Sequence, residues 1–229
     1  MKLTYFAIFV FCLISYEVSA QLTSSQYEKI YPNFAPSSNL FTSLDKAILK
    51  PDSVKRLSLN FQGFSEIPED VRKLNNLVFL DVANNEIDTL PLWFCQMKSL
   101  KALWIGNNQN IDLMNLCSTV ACTNIEYLWI GKNRMNLPKG CIRKMYGLKR
   151  LFVMRNNSWN FKILLKECIY LKELIVLDLS YNNIDINTLL PYFKSLKQIE
   201  VLIIQGNKFN VDTIDELKES LPDTDIIYE

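Results

Sequence analysis

Residues 77–87 read Leu-Val-Phe-Leu-Asp-Val-Ala-Asn-Asn-Glu-Ile, and this stretch decides the fold. With Leu77 as position 1, aliphatic side chains fall at positions 1, 4, 6 and 11 (Leu77, Leu80, Val82, Ile87), and asparagine falls at position 9 (Asn85). The same frame opens at Val54, Leu100, Ile125, Leu148, Leu174 and Ile199, so successive copies stand 23, 23, 25, 23, 26 and 25 residues apart. In a short strand, positions 4 and 6 point to one face while 3 and 5 point to the other. Each copy therefore has an apolar face that only neighbouring copies can bury, and stacking is compulsory. Position 9 holds Asn85, Asn108, Asn133, Asn156, Asn182 and Asn207, with Gln62 in the first copy. A side-chain amide both donates and accepts, so asparagine fixed at one position predicts an internal ladder linking the turns of successive copies.

The return legs of the first two copies also match: Ile67-Pro68, Val71 and Leu74 answer Leu90-Pro91, Phe94 and Met97. With the strand motif, this pattern resembles the leucine-rich repeat family, in particular the 23-residue class of Ras-suppressor-like and many bacterial proteins. The resemblance covers residues 54 to about 211. It implies an α/β solenoid of about seven repeats with terminal caps: a curved parallel sheet on the concave side, short helices or turns on the convex side. The match departs after Ile111, where repeats lengthen and the Leu-Pro element returns only at Leu137-Pro138.

Outside the repeats, residues 1–20 have the form of a secretory leader: Lys2, an apolar run from Leu3 to Ile14, then Val18-Ser19-Ala20. The run is shorter than the roughly 20 residues a membrane-crossing helix needs, so the expectation is a secreted or periplasmic chain without a transmembrane anchor. Residues 21–38, rich in Ser and Pro, read as a loosely ordered lead-in. From 39 to 53, Phe41, Leu44, Ala47 and Ile48 recur at helical spacing before Pro51, which predicts an N-terminal capping helix. Residues 212–229 predict a closing helix capped by Asp212 and ended by Pro222, then a last strand at 225–228.

The composition narrows function by exclusion. The chain is 49% hydrophobic, with 25 basic against 24 acidic residues, and shows no basic footprint for nucleic acid, so no nucleic-acid partner is expected. It contains no histidine, which removes serine-histidine triads and histidine-ligated metals together. Neither a phosphate loop nor a dinucleotide fingerprint is present, so no enzyme activity and no cofactor is expected. Asp81 and Asp178 share position 5 four repeats apart, roughly 19 Å at the spacing of parallel strands; they read as solvated positions beside a binding face. Beyond the leader stand Cys95, Cys117, Cys122, Cys141 and Cys168. Burial as thiols is the default for a core of this size, and one bridge joining Cys117 to Cys95 or Cys141 is the alternative.

The outward strand positions carry the functional expectation. Phe79, Trp104, Tyr127, Trp129 and Phe152 gather on four adjacent strands, bordered by Lys132, Arg150 and Arg155, with Asp81 and Asp178 at the margins. A contiguous apolar patch facing solvent marks an interface. The sequence thus predicts a non-enzymatic recognition module that binds a protein or peptide through its concave surface, with Trp104 and Trp129 dispensable for folding. A glycan-binding or adhesion role on the same aromatic face is the alternative. The competing structural account is that the rings cover one another, or that a terminal segment folds over them.

Overall fold

A computed structural model describes residues 23–30, 40–133 and 136–228. The expected leader lies outside the described residues, as do 21–22 and 31–38 of the lead-in. Seven repeat strands follow in chain order: β2 Arg56–Ser58, β3 Phe79–Asp81, β4 Ala102–Trp104, β5 Tyr127–Trp129, β6 Arg150–Phe152, β7 Val176–Asp178 and β8 Val201–Ile203. With β1 (Leu40–Phe41) and β9 (Asp225–Ile227) at the two ends they form one parallel sheet, each strand pairing with the next in sequence. The register aligns Ser58, Asp81, Trp104, Trp129, Phe152, Asp178 and Ile203 in one row. Position 4 of every repeat is a fully buried leucine, from Leu57 to Leu202, each contributing about 1.5–3 kcal/mol by leaving water.

The asparagine ladder forms as the pattern predicts. Each position-9 amide spans two repeats: Asn85 Nδ2 donates to Val82 O in its own repeat and to Leu59 O in the preceding one. Its Oδ1 accepts from Gln62 N and Phe64 N. The oxygens of Asn133, Asn182 and Asn207 likewise accept from Asn108 N, Asn156 N and Asn182 N. Position 8, just before each rung, takes positive φ in all seven repeats: Phe61, Asn84, Asn107, Lys132, Arg155, Tyr181 and Gly206. Only the last is glycine. There a Cβ would stand 2.4 Å from the Tyr181 ring, so packing as well as backbone conformation selects it.

Repeat length sets the convex side. The three 23-residue repeats carry short 3-10 turns at Glu69–Lys73, Leu92–Gln96 and Ile142–Lys144. The longer repeats accommodate α-helices, α3 Leu113–Ala121, α4 Phe161–Cys168 and α5 Ile186–Phe193, and the last repeat adds α6 Val211–Ser220. Two or three extra residues supply most of a helical turn. The longer copies also place a capping side chain at its start: Asp112, Asn160, Asp185 and Asn210 each accept a backbone N–H from the first turn.

Three expectations are corrected at the ends and in the lead-in. α6 is capped by Asn210 rather than Asp212, because the chain leaves its extended conformation two residues earlier. Phe41 lies in β1, not in a helix, and the capping helix α2 shrinks to Leu44–Ala47, with Ser43 as its cap and Pro51 opening a 3-10 turn. Within the lead-in, Ser24–Ile30 forms a helix, α1. Thr23 and Gln26 start it by a reciprocal capping box, Gln26 N donating to Thr23 Oγ1 and Thr23 N to Gln26 Oε1.

The default of free thiols is also overturned. Cys95 pairs with Cys122 and Cys117 with Cys141, each with Cα atoms 5.3 Å apart, inside the range a disulfide spans. Cys117–Cys141 is one of the two bridges the sequence offers as an alternative; Cys95–Cys122 is not among them. At about 100° per residue, Cys117 and Cys122 leave α3 roughly 140° apart, so one reaches the following repeat and the other the preceding one. Cys168 is a buried free thiol, and burial pushes its pKa far up.

Two measurements check this architecture. Asn133→Ala removes an acceptor for Asn108 N and a donor to Ile130 O, both buried; it should destabilise the fold by about 1–3 kcal/mol, read from urea unfolding. Alkylation of the chain from Gln21 onward, denatured without reductant, should label Cys168 alone; labelling of three or more thiols would contradict the bridges.

Candidate functional site

The concave sheet brings the predicted site residues together but covers most of them. Phe79, Trp104, Trp129 and Phe152 are at most 5% exposed and form a second apolar cluster with Val176, Val201, Ile203 and the fully buried Ile30 of α1. Phe79 meets Trp104 edge-on with centroids 5.0 Å apart, and Trp104 meets Trp129 at 6.2 Å, arrangements that satisfy the ring quadrupoles. The Trp129 indole lies over the backbone of the neighbouring turns. A Cβ at Gly106 would fall 2.8 Å from its ring carbons, and one at Gly131 would fall 2.8 Å from its nitrogen. Glycine at position 7 of these two repeats makes room for that ring. The expectation that Trp104 and Trp129 are dispensable for folding is therefore wrong: they face away from the main core yet belong to a second one.

α1 is held in place by polar contacts as well. Arg150 Nε donates to Lys29 O at 2.8 Å, and Lys29 Nζ pairs with Asp225 at 3.2 Å. Arg150 is itself buried, with its guanidinium 4.8 Å from the Tyr127 centroid. Tyr127 and Lys132 remain partly accessible and Arg155 is exposed, its guanidinium over the Tyr181 ring at 5.1 Å. The sequence signals of this helix are the Thr23…Gln26 capping box and Ile30, the one branched aliphatic residue between Thr23 and Asn39.

Asp81 and Asp178 are not solvated. Both are buried, and each turns back on its own strand end: Ala83 N donates to Asp81 Oδ1 at 3.0 Å, and Ser180 N to Asp178 Oδ1 at 2.8 Å. Ser58 Oγ and Ser180 Oγ add a donor to each. Loss of water outweighs these bonds and raises both carboxyls to about 6. The small residue at position 7, Ala83 or Ser180, marks where such a turn-back fits.

Because these two carboxyls hold protons in the folded state at pH values where the unfolded chain has released them, they oppose folding as pH rises. The stability they leave in place is full below the ordinary value of 3.8 and falls until about 6. Asp81→Asn with Asp178→Asn should flatten that part of the profile and stabilise the protein above pH 6, relative to the parent, in denaturant titrations across this range. An unchanged difference between parent and variant at every pH would place both carboxyls in solvent.

Comparison with known proteins agrees with the architecture. The family model described as Leucine Rich Repeat matches residues 76–97 and 173–196. Adenylate cyclase of Schizosaccharomyces pombe is 28% identical over 90% of this chain, and human oligodendrocyte-myelin glycoprotein 25% over 69%. The chain spans only 12% and 34% of those proteins, so the likeness is to a part of each. A leucine-rich repeat protein of Leptospira interrogans superposes with a TM-score of 0.57 at 22% identity, over 84% of this chain and 58% of that one. Seven copies of one frame, realised as parallel strands joined by an asparagine ladder, make the chain a leucine-rich repeat solenoid, and these matches support a place in that family.

Proposed function

We propose that the chain is a non-enzymatic, extracytoplasmic recognition module whose concave sheet takes a protein or peptide segment. The observation that carries this reading is the segment the sheet already holds. α1 seats an aliphatic side chain, Ile30, in the apolar cluster on the outward face of the sheet, and a sheet arginine, Arg150, binds the backbone carbonyl of Lys29. Those are the contacts by which a groove recognises a peptide: an apolar anchor in a pocket and a charged donor on the main chain. Two disulfides on the convex side fit an oxidising compartment. The buried rings offer no open face for stacking on sugars, which disfavours the glycan alternative at this surface.

The test is a peptide-display selection on two chains, the full one and one beginning at Asn39. The shortened chain should capture peptides with an aliphatic anchor, and free peptide 21–38 should compete them off; the full chain should capture few. A shortened chain that is folded yet captures nothing would defeat the proposal, and one that cannot fold would assign α1 to the core alone.

A further inference from the structure

On the opposite side of the solenoid, the 3-10 turn at Ile142–Lys144 and helix α4 border a groove of about 510 Å³. Four cations line it: Lys139, Arg143, Lys162 and Lys166, all exposed. From Gly131 to Lys172 the sequence contains a single carboxylate, Glu167, although the whole chain is nearly neutral. That carboxylate is buried and occupied by backbone: Gly140 N, Ile142 N at 2.9 Å and Arg143 N at 3.4 Å all donate to it. Among the described residues none of the four cations has an acidic partner. Lys162 and Lys166 instead both sit 5.4 Å from the Tyr192 ring. Like charges gathered without counter-charge repel one another, and a bound anion would relieve that repulsion.

We infer that this convex groove is a binding site for a sulfated polysaccharide. Sulfate esters carry a fixed charge, and several spaced along a sugar chain can meet cations on both walls at once. The exposed Tyr170 ring and Ile163 line the same groove and give the apolar faces of sugar rings a surface to lie on. Single-stranded nucleic acid would need successive rings for its bases, and the groove lining has one. A membrane surface is flat, whereas these cations line a concavity. The site is independent of the concave face and of any segment bound there.

The test is calorimetry of the full chain with a heparin-derived hexasaccharide at about 0.15 M salt. Binding should weaken by at least about tenfold when Lys139, Arg143, Lys162 and Lys166 are all changed to Gln, because charge-assisted contacts are lost. Changing Lys46, Lys50, Lys55 and Lys208 to Gln, an equal loss of charge elsewhere on the surface, should leave it nearly unaltered. Hydrogen exchange of the parent should show sugar-induced protection at 139–143 and 161–170. Three results would overturn the inference: no binding, equal weakening in both variants, or equal affinity for the desulfated sugar, an acidic peptide or anionic vesicles.

Discussion

The amide of asparagine at position 9 is the interaction on which the rest depends. A solenoid turns its backbone sharply once per repeat inside a stack where water cannot reach, and the turn's N–H and C=O groups must find partners. One amide does this for two repeats at once, as Asn108 does by donating to Val82 O and Ile105 O while accepting from Ile87 N. The cost of the turn is a left-handed residue at position 8, borne even by Phe61 and Tyr181, side chains that avoid that conformation in isolation. It persists because the ladder and the paired strands over-determine it. Asn156, at 0% exposure, shows the consequence for modification: its glycosylation sequence is complete, but its side chain is a rung of the ladder.

Once the inner face is fixed, the convex side varies within limits set by length. A 23-residue repeat has room for a 3-10 turn, and the 25- and 26-residue repeats have room for a capped α-helix. This variation makes the repeats locally different without altering the strand register. Around α3 it also creates a place where three consecutive repeats are stapled, through Cys95–Cys122 on one flank and Cys117–Cys141 on the other.

Periodicity made the sheet legible in the sequence down to single residues, since each strand occupies positions 3 to 5 of its frame. Direction is not accessibility, however. The frame says that Trp104 and Asp81 point away from the leucine core; it cannot say what lies against them. α1 comes from a polar stretch with no repeat and docks on strands more than a hundred residues away, as Lys29 and Arg150 show. Non-local contacts of that kind leave little trace in local pattern. The cysteines failed for a related reason: pairing depends on the angle at which a helix presents each thiol, and the helix existed only because that repeat is two residues longer.

A segment already docked on part of the concave face, against β6, β8 and β9, changes what recognition costs there. Any partner at that surface competes with a segment of the same chain, tethered to β1 by the stretch after Ile30. A short tether gives such a segment an effective concentration on the order of millimolar. A free partner at micromolar concentration must therefore bind about a thousandfold more tightly than α1 does, a difference of about 4 kcal/mol. Among the described side chains, α1 contributes one buried aliphatic side chain and a half-exposed ion pair, and its Lys29 carbonyl accepts a hydrogen bond from Arg150. Exposed ion pairs contribute about 0–1 kcal/mol, so Ile30, whose burial contributes about 1.5–3 kcal/mol, is the stronger of these two anchors. A partner presenting two or three such anchors to the same apolar cluster would exceed those contacts, and the segment would then act as a threshold on binding rather than a block.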